Sequence, residues 1–388
     1  MPDPHGSLPA PETDPAFLDS ALAAADAVGF VAVGNRFDDG LRYLTRFSGP
    51  DRNYAFVYAD GEAILCAPAL FTEQAEREFA GTVRTTDVGD PTGIRAANTL
   101  SDLGASSGTV LVPQSIPHDA AVHLEQAGYD LESTTAVADA RLIKTESEID
   151  CLRRVQRAAV RGMRRAEEIL AAAEPMDDEL IWQDAPLSTE RLRRQVNAEL
   201  AVYGVRDAGN TVIGAGPTCA DLHYTGMDVL RPDETILLDI SPRGPHGYYG
   251  DLSRTYVVDS NGGWERRAYV AVEAALKAGL AEIEPGAHAN EIHREAAAEL
   301  TAHGFDPNAD EGEAGFTHGT GHGVGISLHE GPSLREPVEL ESGMVFTVEP
   351  GVYDPEQGGV RLEELVVVTD DGYETLHEYP RSFTPRAD

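Results

Sequence analysis

"ETILLDISPRGPHGYYGDLSRTYVV", residues 234–258, is a β-rich run ending in Asp239, then a Gly/Pro turn, then a second β-rich run opened by Asp251. "GMVFTVEPGVYDPEQGGVRLEELVVV", residues 343–368, repeats that plan with Glu349 and Glu363. The acids are twelve apart in the first stretch and fourteen apart in the second. Folded as an antiparallel hairpin, each stretch can set its two carboxylates opposite one another on one face. Side chains alternate along a strand, so Arg361 shares a face with Glu363 while Glu364 points away. Two related hairpins predict a pseudo-twofold α/β domain with four carboxylates converging at its centre.

Four anions so close are prohibitively costly without cations. Hard oxygen donors plus imidazole suit two divalent first-row ions better than one structural zinc. Four carboxylates neutralise two such ions, and a metal pair clamps a hydroxide nucleophile and polarises a carbonyl. The pattern points to hydrolysis. The imidazoles come from "FTHGTGHGVGISLHE", residues 316–330, where His318, His322 and His329 stand among alternating glycines. Glycine lets a backbone approach a ligand closely and take dihedrals that a Cβ forbids. The run holds no G-x-G-x-x-G and no G-K-[ST], so a phosphate loop has no support. His318 and His322 are four apart and His329 is seven further on, which offers one metal ligand and two polar groups along one cleft wall.

The chain's 388 residues predict two domains, and a 41% apolar content fills them. No apolar run approaches the roughly 18 residues of a bilayer span. The opening "MPDPHGSLPAPETDP" is polar and Pro-rich, without a basic n-region or apolar h-region. Residues 1–15 therefore read as a frayed leader on a cytoplasmic protein. Cys66, Cys151 and Cys219 are odd in number and widely spaced, which fits a reducing cytosol rather than a disulfide framework. Cys219 lies four residues before His223, but an inert buried thiol is the plainer reading. Acidic residues number 66 against 30 basic, for a net charge of −36, and only Lys144 and Lys277 are lysines. Such a surface excludes nucleic acid and anionic lipid as partners, and it repels itself in dilute buffer. At about 1 M salt the Debye length is roughly 3 Å and the repulsion is screened. The expectation is a protein of a salt-rich cytoplasm, resembling those of extreme halophiles.

Residues 16–140 mix short strands and helices, among them a hairpin at 54–67 around Asp60-Gly61 and a strand at 108–113. No motif there carries chemistry, so it reads as a smaller α/β scaffold domain. The second domain, 141–388, opens with a long helix over 144–170. Thr145 and Glu148 have capping-box spacing, and Ile149, Leu152, Val155, Ala159, Met163, Ala166 and Leu170 form one buried stripe. Further helices are expected from Ser188, over 264–282 and over 288–303, with 174–186 as an exposed insertion.

Together, "LLDI…GD", "HGTGHGVGISLHE", "TVEPG" and "GVRLEE" resemble the proline-specific metallopeptidases of the pita-bread fold, family M24: Xaa-Pro aminopeptidases and Xaa-Pro dipeptidases, the prolidases. The resemblance covers 140–388 strongly and 16–140 loosely, as the N-terminal domain such enzymes often carry. It implies two divalent ions, manganese or cobalt, a homodimer, and a peptide substrate with proline in second place. By motif, Asp239 would bind one metal, Asp251 and Glu363 would bridge both, and His322 and Glu349 would complete the set. Glu349 would also pass a proton toward the leaving amine. His223 resembles the histidine near the scissile bond, and His329 the one that hydrogen-bonds the substrate carbonyl. His318 resembles part of the substrate-binding wall, and Arg361 would pair with a ligand carboxylate.

One departure is plain. The aspartate pair is one residue further apart than is usual in the family. Either a bulge at the hairpin tip absorbs it, or Asp251 faces away and the bridge fails. His5, His118, His123, His246, His288, His293, His303 and His377 read as ordinary polar residues, with His246 singled out because it sits in that turn. Three other functions fit the same features: a catalytically silent binding protein, a metal-independent hydrolase of the creatinase kind, and a methionine aminopeptidase. Silent relatives typically lose ligands, and none is missing here.

Overall fold

A computed structural model describes residues 9–86, 89–310 and 312–387, which fall into two compact units, Pro9–Arg141 and Leu142–Asp388. His5 and the first eight residues of the leader lie outside the described residues. The first unit is a six-stranded sheet of β1 (Gly29–Gly34), β2 (Tyr54–Ala59), β3 (Glu62–Pro68), β4 (Thr82–Thr86), β5 (Gly108–Pro113) and β6 (Tyr129–Thr134). Its strand order is β4-β3-β2-β1-β5-β6. Asp60 and Gly61 both take positive φ between β2 and β3, matching the twist of a tight hairpin. Val31, Val57, Ile64 and Val110 bury against Ala96 and Leu100 of helix α1 (Thr92–Asp102). In the described part of the leader, Thr13 donates to the Tyr43 carbonyl at 2.6 Å and accepts from Arg46 at 2.8 Å.

The second unit is built twice over. Helices α2 (Glu146–Ala171) and α3 (Thr189–Val202) pack on a sheet of β10 (Thr211–Ala215), β11 (Thr235–Ile240) and β12 (Ser253–Val257). Helices α4 (Trp264–Ala281) and α5 (Ala289–Ala302) pack on β13 (Val345–Val348), β14 (Gly351–Asp354), β15 (Gly358–Arg361) and β16 (Glu364–Thr369). The seven apolar positions read along α2 are all buried, and Thr145 and Glu148 form the expected capping box. No helix among the described residues is long and apolar enough to cross a membrane.

Residues 174–186 are a largely exposed insertion between helices, as expected, but an ordered one. They fold into a three-stranded meander, β7 (Glu174–Met176), β8 (Glu179–Trp182) and β9 (Ala185–Pro186), turning at Asp177-Asp178 and Gln183-Asp184 with positive φ. Leu180 and Trp182 are buried, and the Arg165 and Arg191 guanidinium groups lie 5.9 and 4.7 Å from the indole centroid. Asp177, Asp178 and Asp184 occupy the turns, so strand alternation was hidden within a charged-looking segment.

The two hairpins set the site. In the first, Asp239 pairs with Ser253, and the register runs unbroken to the tip. Gly250 donates to the Pro242 carbonyl and Gly244 to the Tyr248 carbonyl, both through backbone N–H groups. Gly247, at φ +95°, closes a three-residue turn with its N–H on Gly244. A left-handed glycine in that place takes up the extra residue at the tip. Asp251 therefore stays on the face of Asp239. It sits diagonally, across from Ser241, rather than directly opposite Asp239. In the second hairpin Val348 faces Glu364 and Gly351 faces Arg361, so Glu349 and Glu363 fall directly opposite one another. The hairpins join along β12, where Ser253 accepts from the Glu363 N–H and Thr255 Oγ1 from the Arg361 N–H.

Candidate metal centre

Asp239, Asp251 and Glu363 each offer a carboxylate oxygen within 4.8 Å of the others, from three different strand ends. His322 Nε2 lies 3.3 Å from Glu349 Oε1 and 3.8 Å from Asp251 Oδ2, so all five expected residues meet in one place. They floor a cleft of about 370 Å³ whose walls include His223, His318, His329, Arg335 and Asn210. Ser241 Oγ donates to Asp251 Oδ1 at 2.8 Å and Thr347 Oγ1 to Glu349 Oε1 at 3.2 Å. Glu364, on the opposite strand face, pairs instead with buried Arg254 at 2.9 Å.

Arg361 is the site's one buried cation among the described residues, and it binds Asp239 Oδ2 at 2.6 Å and Ser253 Oγ at 2.9 Å. One guanidinium does not balance four carboxylates. Burial first, then the charges of Asp239 and Glu349, hold the Asp251 carboxyl well above the usual carboxylate range. Burial and then Asp251 do the same to Glu363, and burial lifts Glu349 to about 7 against the pull of Arg361. Acids in such straits either take protons or take metal.

The His322 ring makes the same point by geometry. Its Nδ1 donates to the Gly323 carbonyl at 3.1 Å, because a carbonyl only accepts. In the neutral ring Nε2 is then a bare lone pair facing carboxylate oxygens. That contact is repulsive unless a carboxyl proton or a metal ion lies between them, and burial holds the ring neutral by lowering its pKa. The donor set, hard oxygens plus one imidazole lone pair, fits divalent first-row ions.

The other histidines separate. His329 packs edge-on against His322, ring centroids 4.3 Å apart, and faces the cleft. His223 lies exposed on the cleft wall. His318 donates from Nδ1 to the Gly319 carbonyl at 2.7 Å, and its Nε2 meets the Tyr353 hydroxyl at 2.8 Å. Both ring nitrogens are thus engaged within the protein, and burial first, then Arg361, pushes its pKa down to about 3. Tyr353 in turn accepts from Arg361 Nη1 at 3.1 Å.

The glycines between these histidines serve the protein's own backbone. A Cβ on Gly321 would overlap the Thr347 carbonyl, and one on Gly323 the Gly331 carbonyl, yet neither residue has positive φ. Close approach, not unusual dihedrals, requires them. Cys219 is buried, donates to the Thr235 carbonyl at 3.3 Å, and its thiol is pushed up to about 11 by burial. His246 sits at the hairpin tip beside a small hollow lined by Cys151, not in the cleft. Sequence reasoning missed Tyr353, Arg335, Ser241, Thr347 and Asn210; of these only Thr347 stands inside a quoted motif, TVEPG, where Glu349 alone was singled out. His293, read as ordinary, bonds Thr320 Oγ1 at 2.7 Å, and the Thr320 carbonyl accepts the Glu349 N–H.

The sequence pattern of metallopeptidase family M24 matches residues 150–370. A probable dipeptidase PepE of Mycobacterium tuberculosis is 30% identical over 252 residues, 64% of this chain and 62% of that protein. An Xaa-Pro dipeptidase of Pyrococcus furiosus is 29% identical over 248 residues, 63% of this chain and 66% of that protein. The match thus spans under two thirds of the length of these curated relatives. In fold, the chain resembles the solved Xaa-Pro dipeptidase from Bacillus anthracis with a TM-score of 0.83 at 24% identity, over 95% of this chain and 98% of that one. That likeness defines an N-terminal α/β sheet domain followed by a pita-bread domain. With its acidic cluster inside the matched segment, the chain belongs to metallopeptidase family M24.

Proposed function

We propose that this protein is a dinuclear-metal peptidase that hydrolyses the bond preceding proline, with Xaa-Pro dipeptides as its substrates. The observation carrying this reading is the group of four carboxylates and one imidazole lone pair, with Arg361 as the one buried cation beside it among the described residues. Asp239, Asp251, Glu349, Glu363 and His322 would hold the ions. The family resemblance suggests manganese or cobalt as those ions. When bound, the ions supply a water-derived nucleophile at neutral pH and Lewis acidity toward the scissile carbonyl.

The chain's own residues do the rest. Glu349, at the inner edge of the cleft, takes the proton released from water and hands it to the departing imide nitrogen, which leaves only when protonated. His329 and His223 face the open cleft and donate to the substrate carbonyl as charge builds on oxygen. His318 contributes shape, since its nitrogens are spent on Gly319 and Tyr353. Arg361 orients Asp239. Arg335 lines the cleft with no carboxylate partner among the described residues, and a dipeptide's terminal carboxylate is the complement it lacks. That favours dipeptides over longer peptides. The acidic surface supports a salt-rich working environment, and sedimentation in molar KCl tests the expected homodimer.

The test is an assay of Xaa-Pro dipeptides and longer Xaa-Pro peptides in molar KCl, with and without Mn²⁺, repeated on Asp251→Asn. Mn²⁺-dependent dipeptide turnover lost in the variant is expected. Turnover that ignores metal would favour a creatinase-like reaction, and no turnover on any peptide a silent binder.

A further inference from the structure

Asp251 is held in place by a side chain outside every motif. Within the first hairpin, Ser241 and Asp251 face each other between the bonded pairs Ile240/Leu252 and Pro242/Gly250. At such a position both backbone groups of a residue point away from its partner strand. Further along that outer edge of β12, Ser253 and Thr255 find partners in Glu363 and Arg361 of the second hairpin. Asp251 lies just past the end of this seam. The Gln156 carboxamide, from α2, fills the gap. Its Oε1 accepts from the Asp251 N–H at 2.8 Å and its Nε2 donates to the Asp251 carbonyl at 2.7 Å. Gln156 is 1% and Asp251 4% exposed, so water does not substitute. Gly250 shows how tightly helix and hairpin meet, since a Cβ there would stand 2.9 Å from Gln156 Oε1 and 3.0 Å from its backbone nitrogen.

We propose that Gln156 is a positioning residue for the metal centre: its carboxamide acts as a one-residue strand partner that fixes the Asp251 peptide planes, and with them the direction of the Asp251 carboxylate. The inference rests on the dinuclear reading above. Removing the carboxamide leaves a buried N–H and a buried carbonyl unsatisfied, and the strand end relieves this by rotating them toward water. The carboxylate turns with it. A second tether joins the same turn to the same helix, Tyr248 hydroxyl to Glu148 Oε1 at 2.5 Å, and neither of its ends is a cage residue. It is the natural control.

The experiment titrates Mn²⁺ into metal-free wild type, Gln156→Met and Tyr248→Phe by calorimetry in molar KCl, with metal content per chain and metal-free melting temperature measured alongside. Gln156→Met keeps length and apolar bulk while deleting both hydrogen bonds. Loss of a ligand's supporting partner weakens metal affinity about 10–100-fold. The expected result is at least that tenfold loss in Gln156→Met and wild-type affinity in Tyr248→Phe. A purely structural role would lower the melting temperature of both variants and leave both affinities at the wild-type value, which overturns the inference alone. Wild-type protein that takes up no Mn²⁺ overturns the dinuclear reading itself. Should Gln156→Met not fold, Gln156→Asn, too short to span both groups, carries the same expected loss.

Discussion

Stripping the metal should make this protein prefer acid. Burial first, and crowding among the carboxylates second, raise the proton affinity of Asp251 and Glu363 in the folded state, and burial lifts Glu349 from 4.5 to about 7. A raised carboxyl pKa means that the folded state binds more protons than the unfolded chain. Its stabilising effect is complete below the ordinary carboxylate range and is lost as pH climbs through the folded value. For Glu349 that window runs from 4.5 to about 7. At about 1.4 kcal/mol per pH unit the Glu349 loss is about 3 kcal/mol; Asp251 and Glu363 act in the same direction, while buried His318 and His322, whose pKa values are lowered, oppose them below pH 6.5. In a unit of this size each kcal/mol shifts melting by a few degrees, so roughly 6–12 °C is at stake. Calorimetric melting of chelator-treated protein in molar KCl, at about pH 5 and about pH 8, reads it directly. Mn²⁺ should close or reverse the difference, because metal binds the deprotonated acids. Metal-free protein that melts as high at about pH 8 as at about pH 5 would refute the reasoning.

Three further outcomes follow from particular contacts. Lys144→Met removes the buried partner of Glu330, 3.0 Å away and next to His329, and should cost about 3–5 kcal/mol in denaturant unfolding. Arg335→Ala should raise KM for Xaa-Pro dipeptides about tenfold while leaving longer Xaa-Pro peptides unchanged, the size of one charge-assisted hydrogen bond. With a net charge of −36, the melting temperature should rise between dilute buffer and molar KCl; equal values would end the salt-adaptation reading.

Much of this arrangement was legible in the sequence because it is local. Period-two alternation flanking Asp239, Asp251, Glu349 and Glu363 defines strands, and Thr145 with Glu148 marks a helix start within four residues. What escaped is set by contacts between distant segments. Whether Asp251 faces inward turned on Gly247 taking a left-handed conformation at the tip, and on Gln156, 95 residues away along the chain. The His318 ring carries the same spacing signal as His322, yet Tyr353 occupies its outer nitrogen. Leu180 and Trp182 were masked by the acids in the turns around them. Alternation assigns a face but not a cross-strand partner, so the diagonal placement of Asp251 was open until the pairing of Asp239 with Ser253 was seen.

A crystal grown with Mn²⁺ and measured at the manganese absorption edge puts the most direct question to the whole account. Two anomalous peaks per chain, with Asp251 and Glu363 touching both and His322 Nε2 touching one, is the predicted result. No peak among these side chains, or an Asp251 carboxylate turned toward solvent, would contradict it.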